Sequence, residues 1–213
     1  MIDAAIDLEV FSDVACPWCY IGRRRLAQAL ARPGAPPATV RWRAFELQPS
    51  LPLEGVEARP YYARKFGGEA RVEAMFARVN EVGRGDGIRF DFDAMRRAPN
   101  TRLAHRAIQL AQAQGAGDAA AAACFHGHFE AGVDISSLDA LLAHLARREL
   151  PLDLDALRDR LRRGDGESQV AADEREAAQL GVTGVPFFVA NRKLAVSGAQ
   201  PPEVLARLLA EAG

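Results

Sequence analysis

Ile6-Asp7-Leu8-Glu9-Val10-Phe11-Ser12-Asp13-Val14-Ala15-Cys16-Pro17-Trp18-Cys19 is the stretch that decides the architecture. Its first residues alternate apolar and acidic side chains and run on into Val14, the pattern of a β-strand. Pro17 then suits the first turn of a helix, where its missing N–H would have had no partner. Tyr20, Leu26, Ala27 and Leu30 continue an apolar stripe to about Ala31, with Arg23, Arg24 and Arg25 between. Pro33-Gly34-Ala35-Pro36-Pro37 stops the helix. Thr39 to Leu47 alternates again, with Val40, Trp42 and Ala44 turned inward. Strand, helix, strand opens a parallel α/β unit. Cys16 and Cys19 fall at its first junction, one before the helix and the other one turn inside.

That placement carries chemistry. Cysteine attacks as the thiolate, and the unpaired N–H groups and dipole at a helix N-terminus lower a thiol's pKa. Cys16 has that position. Cys19 returns to the same side and can close a small disulfide with it, so the spacing predicts an exposed attacking sulfur and a shielded resolving one. The three arginines add positive charge, blunted by solvent. A lone C-x-x-C is also half of a zinc site, which needs two more Cys or His ligands. Only Cys124, His105, His126, His128 and His144 remain, and His126-Gly127-His128 is not zinc-knuckle spacing. No metal is expected.

The middle of the chain changes character. From about Tyr61 to Leu180 it is rich in Ala, Leu, Arg and Glu, strong helix formers. Helical periodicity covers about Gly68–Val82, Thr101–Gln114, Asp118–Glu130, Ser137–Glu149, Asp153–Arg163 and Ser168–Leu180. Ser137, Asp153 and Ser168 are N-cap candidates, and Gly181 is a candidate C′ residue. Ile88-Arg89-Phe90-Asp91-Phe92 reads as a short extended piece. After Gly181, Pro186–Ala190 and Lys193–Val196 read as a hairpin turning at Asn191-Arg192, and Pro201–Ala210 as a closing amphipathic helix. The order is β-α-β, a helical block, then β-β-α. The expected division is 1–52, a helical insertion over 53–166, and 167–213.

Composition excludes several classes. The 213 residues are 49% hydrophobic and 26% charged, a globular balance in a chain long enough to bury a core unaided. Charges nearly cancel, 27 basic against 28 acidic, so neither a nucleic-acid nor an anionic-membrane partner is indicated. No run of about 18 apolar residues suggests a membrane span. Met1–Val10 has acidic but no basic residues, unlike a secretory leader, and three cysteines make no disulfide scaffold; a cytoplasmic setting is expected.

A second signal lies at Gly181-Val182-Thr183-Gly184-Val185-Pro186. Read alone, Pro186 is an ordinary trans proline starting an edge strand. Read beside a C-x-x-C, it is the cis proline that sets a backbone edge next to a redox pair. Phe11–Gly22, Gly181–Val189 and Ser197-Gly198-Ala199-Gln200 together resemble the DsbA family, specifically its FrnE-like branch. Pro99-Asn100-Thr101 and Ala104-His105-Arg106 extend the likeness through the helical block, so that it spans essentially the whole chain. The resemblance implies an α/β thioredoxin fold with an inserted all-helical domain. It also implies thiol–disulfide oxidoreductase activity, with Cys16 as nucleophile, Cys19 as resolving cysteine and Pro186 as cis-proline. No cofactor is implied beyond the redox-active disulfide. The partners would be protein or small-molecule thiols and disulfides, glutathione among them.

The same superfamily branch holds 2-hydroxychromene-2-carboxylate isomerases and kappa-class glutathione transferases, which place a serine where Cys16 stands and lack the second cysteine. That departure favours disulfide exchange; a glutathione-dependent isomerase or transferase is the alternative, and a binding or holdase module with an idle C-x-x-C the third reading. Substrate contacts are expected from Pro17, Trp18, Val185 and Pro186. His105 matches a family position lining the cleft, and Asn100 a neighbouring one, although helix packing and helix capping explain each as well. His126, His128 and His144 read as surface or packing residues, and Cys124 as a small buried hydrophobe.

Overall fold

The computed structural model describes residues 5–213; residues 1–4, part of the stretch weighed above for a leader, lie outside it. The chain opens with strand β1 (Ile6–Ser12), helix α1 (Pro17–Leu30) and strand β2 (Ala38–Ala44). A helical block follows: α2 (Ala58–Phe66), α3 (Glu69–Gly85), α4 (Arg102–Gln112), α5 (Gly117–Phe129), α6 (Leu138–Arg147) and α7 (Leu154–Arg162). Helix α8 (Glu167–Gln179) leads back to strands β5 (Phe187–Ala190) and β6 (Leu194–Ser197) and the last helix, α9 (Pro202–Ala212). A two-residue pair, β3 (Val56–Glu57) with β4 (Arg97–Ala98), ties the entry of α2 to that of α4.

The main sheet runs β2-β1-β5-β6, with β1 parallel to β2 and antiparallel to β5, and β5 antiparallel to β6. Strand β1 lies inside it, and Ile6, Leu8, Val10 and Phe11 are all buried. Burying each such side chain contributes about 1.5–3 kcal/mol, so β1 is where this core is strongest. Strand β2 is an edge, and its outward main chain would be open to pairing. Helices α4 and α8 close it: Gln112 Oε1 accepts from Trp42 N, Gln109 and Gln112 donate to Trp42 O, and Asp173 accepts from Ala44 N.

Local signals locate many elements. Ser137 and Asp153 cap α6 and α7, accepting from Ala140 N and Ala156 N. Gly181 ends α8 at φ +69, with Val182 N returning to Ala177 O. Asn191 and Arg192 turn the hairpin at positive φ.

Three details differ from expectation. Ser168 is not the α8 cap; Gly166 is, and the Ser168 hydroxyl turns to Gln169 instead. Among the described residues Ile88–Phe92 pairs with no strand: Ile88 N bonds Gly83 O and Asp91 N bonds Phe129 O, while Phe90 and Phe92 stack with ring centroids 5.2 Å apart. Aromatic packing, not a ladder, explains that apolar alternation. Helix α2 was not among the expected segments, because Pro60 and two tyrosines interrupt its pattern.

Candidate active site

The end of β1 and the start of α1 bring the two sulfurs together. After Ser12 the chain turns, Cys16 N bonds Asp13 O, and Cys16 becomes the N-cap of α1 in an extended conformation. Pro17 occupies the first helical position, and Cys19 N returns to Cys16 O. Cys16 and Cys19 are free thiols 3.6 Å apart. The Cys19 thiol pulls the Cys16 pKa down; burial opposes this, and the N–H groups of Cys19 and Trp18 add to the lowering. Burial, then the neighbouring Cys16 sulfur, drives the Cys19 thiol well above its ordinary range. The two thiols are shifted in opposite directions, Cys16 towards the thiolate and Cys19 towards the thiol.

Cys16 is only 6% exposed, so the expected open attacking sulfur faces a cavity instead of bulk solvent. Helices α2 and α3 of the inserted block supply the walls that cover it. The cavity measures about 330 Å³, a size suited to a small molecule or a side chain. Cys16, Pro17 and Trp18 line it from α1, Tyr61, Tyr62, Lys65 and Phe66 from α2, Met75, Phe76 and Val79 from α3, and Thr101 from the start of α4. Asp13 and Gln48 bring further polar groups. The Lys65 ammonium lies over the rings of Tyr61 and Phe66, 5.8 Å and 5.5 Å from their centroids. Burial lowers its pKa, and the charges of Asp13 and Cys16 work against that.

Just before β5 comes the Val185-Pro186 peptide, which is cis. Cys16 Sγ lies 3.9 Å from the Val185 carbonyl oxygen. Pro186 fits against α1 because position 22 is glycine: a Cβ there would stand 2.8 Å from Pro186 Cγ.

Of the residues expected to contact substrate, Pro17 and Trp18 line the cavity and Val185 touches the Cys16 sulfur. Asn100 and His105 are placed differently. The Asn100 side chain is spent on the main chain, donating to Leu51 O and accepting from Arg102 N at the start of α4. His105 is buried behind Asp13, with Nε2 3.6 Å from Asp13 Oδ1. Asp13 itself was not singled out. Burial raises its pKa, but His105 and the N–H groups of Leu47 and Ala15 outweigh that and lower it. An acid three residues before the first cysteine was the available signal.

Elsewhere, the His126 and His144 rings stack with centroids 5.4 Å apart, and His128 is buried. Cys124 is fully buried, and burial pushes its thiol up to about 12. Among the described residues no group of three or more His, Cys, Asp or Glu could hold a metal ion, and no helix is long and apolar enough to cross a membrane.

Comparisons with known proteins agree with this architecture. The family model of the DSBA-like thioredoxin domain matches residues 7–210. A probable DsbA oxidoreductase from Streptomyces coelicolor is 33% identical, with a TM-score of 0.85 over 97% of this chain and 89% of that one. The cytosolic disulfide reductase DsbM from Pseudomonas aeruginosa, solved with glutathione, is 20% identical, with a TM-score of 0.70 over 96% of this chain and 98% of that one. A 2-hydroxychromene-2-carboxylate isomerase is 16% identical, with a TM-score of 0.69 over 96% of this chain and 95% of that one. The helical block threaded into a four-stranded sheet, the paired thiols at its first helix and the full-length family match together make this chain a member of the DSBA-like thioredoxin domain family.

Proposed function

We propose that this protein is a thiol–disulfide oxidoreductase that works through Cys16 and Cys19. The carrying observation is the asymmetry of two free thiols 3.6 Å apart, one lowered in pKa at a helix N-terminus and the other raised by burial. In the reducing direction the Cys16 thiolate attacks a substrate disulfide and forms a mixed disulfide, releasing one substrate thiol. Cys19 then attacks Cys16 Sγ and releases the second. The backbone at Val185-Pro186, just before β5, would align a substrate strand beside Cys16. Glutathione is the proposed small co-substrate. The cavity is of its size, its thiol would meet Cys16 and a carboxylate would reach Lys65; the DsbM relative was solved with glutathione. No cofactor beyond the cysteine pair is needed, and a cytoplasmic setting agrees with the name of that relative.

The test equilibrates the protein across ratios of reduced to oxidised glutathione, traps free thiols and counts them by mass. The reading expects one two-thiol transition assigned to Cys16 and Cys19. If no Cys16–Cys19 disulfide forms at any ratio, the reading fails. A second reading, a glutathione-dependent isomerase, is favoured by the cavity over Cys16 and the likeness to 2-hydroxychromene-2-carboxylate isomerase. Cys16→Ser separates the two, since it abolishes exchange but leaves an isomerase active.

A further inference from the structure

Resolving a mixed disulfide on Cys16 requires the Cys19 thiol to lose its proton, yet Cys19 is 1% exposed and out of reach of bulk water. The groups facing its sulfur are Cys16, the Asp13 backbone amide and the Ser12 hydroxyl. Once Cys16 is bound in a disulfide, only the hydroxyl can both accept and pass on a proton.

Ser12 Oγ is buried and makes no hydrogen bond among the described residues, so it is free to take up the Cys19 proton. It borders a small cavity of about 10 Å³, close to the smallest space that takes one water, and His105 lines the same cavity. His105 Nε2 is buried, makes no hydrogen bond among the described residues, and lies 3.6 Å from Asp13 Oδ1. Asp13 is already fixed by the N–H groups of Ala15 and Leu47, 3.1 Å and 2.7 Å away. A proton arriving at Nε2 would meet a prepared anion. The ionisable groups facing the imidazole are Asp13, Glu46 beyond β2 and Asp173 on α8, and Arg43 of β2 lines the small cavity. Glu46 has one buried oxygen without a partner; its other oxygen is 2.6 Å from Arg102, which also pairs with half-exposed Glu167.

We propose that His105 is the proton-relay residue of the resolving step: its Nε2 takes the Cys19 proton through the Ser12 hydroxyl and holds it against the Asp13 carboxylate. The proposal rests on the exchange reading above. Ser12 accepts one proton as it gives up its own and ends unchanged. The Cys19 thiolate attacks Cys16 Sγ, the Cys16–Cys19 bond forms, and the bond from Cys16 to the substrate sulfur breaks. The electron pair leaves on that sulfur, which takes a proton from water; the substrate disulfide is the oxidant and the cysteine pair the reductant. In the opposite direction His105 returns the proton as Cys19 leaves. His105 touches neither sulfur, so its role is positioning and relay.

Rapid mixing of the reduced protein with 5,5′-dithiobis(2-nitrobenzoate) tests this. The first nitrothiobenzoate released reports attack by Cys16, and the second reports resolution by Cys19. His105→Gln is expected to leave the first release unchanged and slow the second about 100-fold, the usual worth of a positioned base. The wild-type second phase should level off at high pH, whereas the variant's should keep rising with hydroxide. Ser12→Ala should reproduce the defect and Ser12→Thr restore the rate, a pair that carries the test should His105→Gln not fold. A second phase indifferent to both positions overturns the relay, as does equal slowing of both releases or no rescue by threonine. Wild-type protein that releases one equivalent and forms no internal disulfide overturns the exchange reading instead.

Discussion

Replacing Gly22 with alanine should disturb the active site more than the fold. The added Cβ would stand 2.8 Å from Pro186 Cγ and 3.3 Å from Phe188 Cζ. Carbon atoms rest about 3.5–4.0 Å apart, so Pro186 must retreat by roughly 0.7–1.2 Å. Overpacking of this kind costs about 1–3 kcal/mol, and alanine for glycine inside a helix returns about 1 kcal/mol. The net loss is roughly 0–2 kcal/mol, or up to about 8 °C in Tm for a chain of this length. Turnover should suffer more, because Pro186 is joined to the Val185 carbonyl that meets Cys16 Sγ. A displacement near 1 Å at a positioning group can cost about 100-fold. The assay is kcat/KM for oxidised glutathione beside a thermal melt and the iodoacetamide rate of Cys16. At least a ten-fold fall in kcat/KM with a modest drop in Tm is expected. A raised Tm with unchanged kcat/KM would show that Pro186 yields freely, and would refute the argument from close approach.

Other outcomes are equally specific. Cys19→Ala should move the pH midpoint of Cys16 alkylation upward, because the Cys19 thiol is the main group stabilising that thiolate; a midpoint unchanged or lower contradicts this assignment. Glu46 is raised to about 7 by burial and then by the Glu174 carboxyl, against Arg102. A group whose folded pKa lies above its unfolded value, about 4.3, keeps its proton longer in the folded chain. The folded state therefore loses stability as pH rises from about 4.3 through 7. Glu46→Gln should flatten that part of the stability–pH curve measured by denaturant titration, and an unaltered slope would contradict it. Cys124→Ala should leave exchange rates as they are, because a thiol raised to about 12 and fully buried takes no part in them.

The strand, the cysteine junction and several helix ends were legible because each rests on short-range physics. Alternation marks β1, a proline pre-sets the first turn of α1, and Ser137 and Asp153 bond amides three residues on. The hairpin at Asn191-Arg192 is local in the same sense. Asn100 shows the boundary of such reading. Its helix-start role was visible in Pro-Asn-Thr, whereas its bond to Leu51 O, 49 residues away, was not.

By itself the sequence determined that an α/β frame carries a thiol pair at a helix start, with a helical block between the two halves. Periodicity, capping and spacing act within about one turn or one strand, and such signals survive in a bare string of residues. Only the tertiary structure decided what surrounds the pair. Whether Cys16 faces solvent or a cavity depends on α2 and α3, whose residues lie 42 or more positions along the chain. That Ser12, Asp13, Glu46 and His105 converge follows from the sheet order and from α4 packing over β2. A histidine on a helix reads the same whether it fills space or passes a proton; the groups that chain topology sets against it make the difference.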